Sequence, residues 1–106
     1  MDRLVERLAV EGQDVVVGGP SPTVAELHRR LTELRYVFLK FPDTRGGTDL
    51  GVRVADTTDL GAADFGTGTG TVHIEGTLTL NFVPVRCIAD IDLATLTGNG
   101  HLVPQP

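Results

Sequence analysis

Two consecutive stretches of alternating apolar and polar residues constrain the fold of this chain more than any other feature. Residues 71–82 and 83–93 place an apolar side chain at nearly every second position, the period of a strand with one buried face. An antiparallel pairing with Leu80 opposite Val85 brings both apolar sets to one side. A slip of one residue would turn one set outward, so the stretches predict a hairpin in this register. Because Phe-Val is not a typical type I′ pair, we expect a wider loop.

The clearest helical signal begins at Thr23. Thr23 and Glu26 have the spacing of a capping box, in which each side chain bonds a backbone N–H at the start of a helix. The apolar residues that follow at helical spacing are Val24, Leu27, Leu31 and Leu34. Arg30 lies four residues after Glu26, so these two side chains form a favourable pair on the other face. We predict a helix over residues 23–35 that packs its apolar stripe on the sheet.

Shorter patterns complete the prediction along the chain. Residues 2–10 have the spacing of a short helix, and residues 15–17 form a β-branched run typical of a strand. Residues 36–41 and 50–54 alternate on either side of a polar loop, which predicts a second hairpin. The remaining expected elements are a helical turn at 60–65, a turn at 98–100 and a last short strand at 101–103.

Length and pattern together predict a single domain over residues 1–106. A chain of 106 residues can bury one core without disulfides or a structural metal. A helix with one apolar stripe and strands with one apolar face need each other as cover. The predicted fold class is therefore α+β, with one main helix packed on an antiparallel β-sheet. The sequence leaves open whether that sheet closes into a barrel.

Composition disfavours several partners and environments. The formal net charge is -5, whereas binding nucleic acid phosphates needs a surplus of Lys and Arg, so we expect no nucleic acid partner. Cys87 is the only cysteine, which rules out an internal disulfide and favours a cytoplasmic protein. We expect neither a secretory signal nor a membrane span, since no stretch reaches roughly 18 apolar residues. Eight arginines against one lysine suggest a high-GC bacterial source.

The second face of the predicted hairpin gathers ionisable side chains. In the predicted register His73 lies opposite Asp92 and Glu75 opposite Asp90, with Arg86 on the same face. A carboxylate beside a histidine orients the ring and raises its basicity, which suits general acid–base catalysis. The catalytic candidates are therefore His73, Glu75, Asp90 and Asp92. The competing interpretation is a plain polar face in contact with water.

The same pattern bears on ligands and cofactors. The binding candidates are Arg86 on this face, Tyr36 on the earlier hairpin and Arg45 in the loop of that hairpin, where it could recognise a partner or an anionic group. His73 and the carboxylates near it could in principle hold a divalent metal. No motif fixes the ligand geometry, so we predict neither a metal nor a cofactor.

Two classes of function fit these features. The favoured one is a binding or accessory module that acts through a protein partner or a second copy of itself, because an exposed sheet edge pairs readily. The alternative is a small cofactor-free enzyme of the isomerase, cyclase or lyase type. It would use His73 with Asp90 or Asp92 in a sheet-lined pocket that takes a small molecule. The missing catalytic motif favours the binding module, and the cluster of ionisable groups favours the enzyme.

Overall fold

A computed structural model describes residues 2–20 and 22–106 and shows a fold built mainly from strands. Strands account for 49% of the chain and helical segments for 16%. The elements in chain order are α1 (Arg3–Leu8), β1 (Gln13–Val17), α2 (Val24–Arg29) with a π-helical continuation (Arg30–Leu34), β2 (Tyr36–Phe41), β3 (Thr48–Val54), β4 (Ala63–Asp64), β5 (Thr69–Leu80), β6 (Val83–Asp92) and β7 (Thr97–Pro104). No helix in the described ranges is long and apolar enough to span a membrane.

Six strands close into an antiparallel β-barrel, so the predicted α+β class is wrong. The order around the barrel is β3-β2-β1-β7-β6-β5, and β5 returns to β3 through the pairs Arg53–Thr77 and Val54–Gly76. The short β4 adds to the first part of β5. Closure joins strands that are distant in sequence, and the alternation within each strand does not encode which distant strand it will meet.

The interior of the barrel is the hydrophobic core, and the predicted apolar faces of the strands are confirmed except at Phe82, which alternation places on the apolar face but which is exposed. The buried side chains that the six barrel strands contribute are Val15, Val17, Val37, Leu39, Phe41, Leu50, Val52, Val54, Val72, Ile74, Val85, Cys87, Ala89, Ile91 and Leu102. The helices close the ends of the barrel. α1 contacts the β2–β3 loop, where the Arg7 guanidinium donates to the Asp43 carbonyl at 2.6 Å. α2 contacts the β3–β5 connection, where the rings of His28 and Phe65 stack at 4.2 Å.

The helix that follows Thr23 begins as predicted and ends in a different geometry. Thr23 Oγ1 accepts the backbone N–H of Glu26 at 3.1 Å, and the Glu26 carboxylate lies 3.0 Å from Arg30. After Arg29 the helix widens into a π-helical turn, which rotates the following side chains relative to an α-helix. Leu31 is buried as predicted, but Leu34 is 46% exposed, so the prediction that Leu34 packs on the sheet is wrong.

The β5–β6 hairpin has the predicted faces in a register shifted by two residues. Leu80 pairs with Val83 instead of Val85, and the turn is only Asn81 and Phe82, so the expected wider loop is also wrong. Both turn residues have positive φ, 49° and 68°, as a type I′ turn requires. A left-handed conformation costs a non-glycine residue about 1–2 kcal/mol. A shift of two keeps every side chain on its face, so alternation alone could not separate the two registers.

Two other turn predictions are also wrong. Residues 98–100 belong to β7, and the turn before that strand lies at 93–96. Gly98 faces the carbonyl of Asp90 so closely that a Cβ would overlap it, so glycine there serves strand contact and not a turn. The expected helical turn at 60–65 is replaced by β4 and the turn before it. The predicted strand at 101–103 is confirmed within β7.

Candidate functional site

The ionisable cluster predicted from the sequence exists on the outside of β5 and β6, but both of its predicted cross-strand pairs are wrong. Glu75 lies opposite Ile88 and not Asp90. Because of the two-residue shift, His73 lies opposite Asp90 and not Asp92. The His73 Nδ1 atom lies 2.8 Å from Asp90 Oδ1, and its Nε2 atom lies 2.6 Å from Glu75 Oε2. The Asp90 side chain is 61% exposed and that of Glu75 only 20%, so the Glu75 contact is better shielded from water.

Glu75 is the centre of this network. Its Oε1 atom accepts from Arg86 Nε and Nη2 at 3.1 and 2.9 Å and from the Thr57 hydroxyl at 2.9 Å. His73, then Arg86 and Thr57, favour the ionised carboxylate and lower the pKa of Glu75 to about 2. In return, the hydrogen bond to Glu75, and next the one to Asp90, raise the pKa of His73. The network therefore favours two opposite charges side by side.

Both ring nitrogens of His73 are engaged by carboxylates. An ionised carboxylate only accepts hydrogen bonds, so both nitrogens donate, and this is the state of the imidazolium ion. A general base needs an unprotonated nitrogen within reach of its substrate, and this arrangement does not provide one. Within residues 2–20 and 22–106, no group of three or more His, Cys, Asp and Glu side chains is arranged to hold a metal ion. The geometry is that of an ion-pair network.

The network also fixes the segment that leads from β3 towards β4. The Thr58 hydroxyl donates to the Glu75 carbonyl at 2.8 Å and accepts the Glu75 N–H at 3.0 Å. The backbones of Asp59 and His73 exchange hydrogen bonds of 2.8 and 3.1 Å. This segment continues along β5 after β3 ends. Residues 56–70 are rich in Asp, Thr and Gly and show no alternation, so the sequence does not predict this pairing with β5.

The remaining sequence candidates lie apart from the cluster. Asp92 Oδ1 accepts the backbone N–H of Ala94 at 2.9 Å and shapes the β6–β7 turn. Arg45 is exposed in the loop between β2 and β3. Tyr36 lies on the outside of β2, where its ring crosses Gly51 of β3. Of the three binding candidates, only Arg86 belongs to the network around Glu75.

A groove of about 690 Å³ lies where β3 and β5 part, and sequence reasoning missed it. Its lining residues are Tyr36, Asp49, Leu50, Gly51, Arg53, Thr77, Leu78, Thr79, Leu80, Pro84, Val85 and Gln105. Leu78 and Leu80 are half-buried, so the groove exposes part of the core. His73, Glu75 and Asp90 do not line it. Thr77, which does, pairs with Arg86, so the groove begins one strand away from the ionic network.

Among the described residues, the peptide groups on both sides of the groove point into it and have no strand partner there. The Val54 N–H donates to the Arg35 carbonyl on the β2 side, so alternation along β3 directs the peptide groups of Gly51 and Asp49 towards β5. The described β3–β5 pairing covers only Arg53 and Val54 and stops before Gly51 is reached. By the same alternation, the His73 N–H bond to Asp59 directs the peptide groups of Thr79 towards β3.

Tyr36 forms part of the rim of this groove. A Cβ at Gly51 would collide with the Tyr36 hydroxyl, so the glycine lets the ring lie across β3. The ring also packs edge-on against Phe38, with centroids 5.5 Å apart. Tyr36 is one of the predicted binding residues, and 41% of it is exposed here. The sequence therefore identified Tyr36 as a candidate, but it did not identify the groove, because the groove depends on where β3 and β5 diverge.

No protein-family model and no curated protein matches the chain. The two surface features differ in what they leave free. Around Glu75 the polar groups satisfy one another. At the groove, peptide groups of β3 and β5 and two half-buried leucines are accessible from outside the barrel. The groove therefore has more capacity for a ligand than the ionic network.

Proposed function

We propose that this chain is a binding module that takes a segment of a protein partner into the groove between β3 and β5. The observation that supports this most directly is the interrupted seam of the barrel. At this seam unpaired peptide groups of β3 and β5 lie beside half-buried apolar side chains. A strand edge of this kind is a template for pairing with another chain.

The groove offers both kinds of contact that a protein segment needs. Peptide groups at Gly51 and Thr79 can bond the main chain of a partner, whatever its sequence. Leu78 and Leu80 can pack against its apolar side chains. Arg53 is a charged group on the rim, which favours partners with a complementary charge. Affinity would come from the main chain and the apolar floor, and selectivity from the rim.

The enzyme alternative has less support from the geometry. It needed His73 as a general base inside a pocket, but the ring nitrogens are both taken by carboxylates. The volume of the groove also lies in the range of small-molecule sites. A binding experiment must therefore distinguish a small ligand from a protein segment. A cytoplasmic location, a bacterial source and the absence of nucleic acid partners stay predictions from the sequence.

A display library of random peptides of about 12 residues provides a probe that assumes no partner. We expect selected peptides to shift the backbone amide resonances of Asp49, Gly51 and Thr79 in nuclear magnetic resonance spectra. Thr79→Arg places a long charged side chain at the groove and should weaken peptide binding at least about tenfold. Thr71→Arg makes the same change on the same face of β5, outside the groove, and should leave the affinity within about twofold.

Two results with peptides would overturn the proposal. One is that no peptide is enriched above background. The other is that bound peptides shift resonances on the opposite wall, at β1 and β7, and bind Thr79→Arg as well as the unaltered chain. Binding of small aromatic compounds in the groove without any peptide would point to a small-molecule site and would also reject the proposal.

A further inference from the structure

Phe82 differs from every other large apolar side chain in the described residues, because it is 99% exposed. It forms the tip of the β5–β6 hairpin together with Asn81. Its φ of 68° lies in the left-handed region, where type I′ turns favour glycine. An aromatic residue that is both strained and exposed contributes little to the core of its own chain. Such a residue is more readily explained by a contact with another surface.

The hairpin tip is held in place from behind. The Asn81 side-chain amide lies 3.2 Å from both carboxylate oxygens of Asp2. The same Asp2 carboxylate accepts the backbone N–H groups of Leu4 and Val5 at the start of α1. The hairpin tip is therefore hydrogen-bonded to the residue that caps the start of α1. A projection that is already ordered loses little conformational freedom when it binds.

The projection and the groove are neighbours. Leu80 and Pro84, each two residues from Phe82 along the chain, both line the groove. An exposed aromatic ring and a groove with half-buried leucines thus lie at the same end of the same hairpin. In a dimer with twofold symmetry, the same surface of both copies forms the contact. The projection of each copy can therefore enter the groove of the other.

We propose that the groove takes the hairpin tip of a second copy of this chain, with Phe82 of each copy seated in the groove of the other. This inference rests on the proposed function, because it names the occupant of the same groove. Each groove is complete only when the other copy supplies its aromatic ring. The ring would pack on Leu78 and Leu80 and leave water, which is the main gain of association.

The charges of the groove and of the hairpin tip are also complementary. Arg53 lines the groove, whereas the tip that would enter it carries the Asp2 carboxylate beside Asn81. Opposite charges across a contact favour this orientation over one in which like charges meet. A second copy therefore suits the groove in charge.

Sedimentation velocity and light scattering from about 1 μM to about 1 mM protein measure the association directly. We expect a reversible dimer. Phe82→Gly should weaken it at least about 100-fold, because two aromatic rings per dimer are removed. This variant should also melt at a higher temperature as a monomer, because glycine suits the turn, so a lost dimer cannot be ascribed to misfolding. Val10→Ser, which changes another exposed side chain just before β1, should leave the dimer unchanged.

A mixing experiment tests the exchange itself. Thr79→Arg keeps the projection and obstructs the groove, whereas Phe82→Gly keeps the groove and lacks the projection. Each variant alone should be monomeric, but an equal mixture should form a heterodimer through one intact contact, weaker than the unaltered dimer. A monomer at every concentration, a dimer that survives Phe82→Gly, or a mixture with no heterodimer would each overturn the inference. If peptides bind the groove of a strictly monomeric chain, this inference fails and the proposed function stands. If neither peptides nor a second copy bind, both fail.

Discussion

Replacement of Glu75 by glutamine is the sharpest test of the ionic network on β5 and β6. Glu75→Gln keeps the shape of the side chain and an oxygen that can accept from Arg86. It removes the negative charge that His73 and Arg86 share. We expect the variant to fold and to be less stable than the unaltered chain at neutral pH. The loss should come from the ionic contacts alone, because the volume of the side chain hardly changes.

The expected loss follows from the pKa of Glu75. Its pKa is about 2 in the folded chain against an ordinary value of 4.5. At about 1.36 kcal/mol for each pKa unit, a difference of about 2.5 units sets an upper limit of about 3.4 kcal/mol. Water reaches the network beside Asp90, and exposed pairs contribute only about 0.2–1 kcal/mol. We therefore expect Glu75→Gln to lower the free energy of unfolding by about 1–2 kcal/mol.

The pH dependence gives the sign of the effect. The folded pKa of Glu75 is depressed, so its contribution is present above pH 4.5 and is lost as the pH falls from there through about 2. The difference between the unaltered chain and Glu75→Gln should shrink over that window. The folded pKa of His73 is raised above 6.5, so its contribution is present below 6.5 and is lost as the pH rises through the raised value. That alkaline loss should be smaller in Glu75→Gln.

Urea unfolding followed by circular dichroism at about pH 7, about 4.5 and about 3 measures these differences, with equal m-values as the check for two-state behaviour. Glu11→Gln is the matched control, since Glu11 is exposed in the turn after α1 and the charge change is identical. It should alter the free energy of unfolding by less than about 0.5 kcal/mol. The reasoning is refuted if Glu75→Gln is within about 0.3 kcal/mol of the unaltered chain at pH 7. A loss that stays constant down to pH 3 would also refute it.

Three further predictions concern the core and the strand contacts. Leu31→Ala removes a buried side chain at the α2 end of the barrel and should cost about 2–5 kcal/mol in urea unfolding, and a change below about 0.5 kcal/mol would contradict the packing. Gly98→Ala places a methyl group against the Asp90 carbonyl and should lower the melting temperature by several degrees, whereas an unchanged melt would mean that β6 and β7 can separate there. Cys87 is buried, and burial raises the pKa of its thiol to about 12. Thiol reagents should therefore label Cys87 only on unfolding, and fast labelling of the folded chain would mean that its side chain faces water and not the core.

Local features of the chain were readable from its sequence. The period of two along residues 71–82 and 83–93 predicted which side chains of the hairpin face the core, with Phe82 at the turn as the exception, because alternation places successive side chains on opposite faces. Thr23 predicted the start of a helix, because its hydroxyl bonds a backbone N–H only three residues away. The same alternation predicted that His73 and Glu75 lie on the outer face with Asp90 and Arg86. Each of these properties depends on residues that are close in the sequence.

The register of the hairpin could be predicted only up to a shift of two. A type I′ turn at Asn81 and Phe82 decided it, although phenylalanine is unusual there. That choice set His73 against Asp90 and left Asp92 to shape the next turn. The π-helical turn likewise moved Leu34 to the surface, although its spacing from Leu31 fits a helical stripe. In these cases the packing of the whole molecule selected among local alternatives of similar energy.

The tertiary structure alone decided that the sheet closes and where it stays open. β3 and β5 meet at Arg53 and Thr77, and then diverge to leave the groove. Neither strand carries a local signal for this, because closure depends on the twist and stagger of all six strands together. Apart from Leu34 and Phe82, the sequence by itself therefore determined which apolar side chains face the core and which side chains face water. The register of the β5–β6 hairpin determined which water-facing groups came together in a network, and the contact between β3 and β5 determined which groups were left free for a partner.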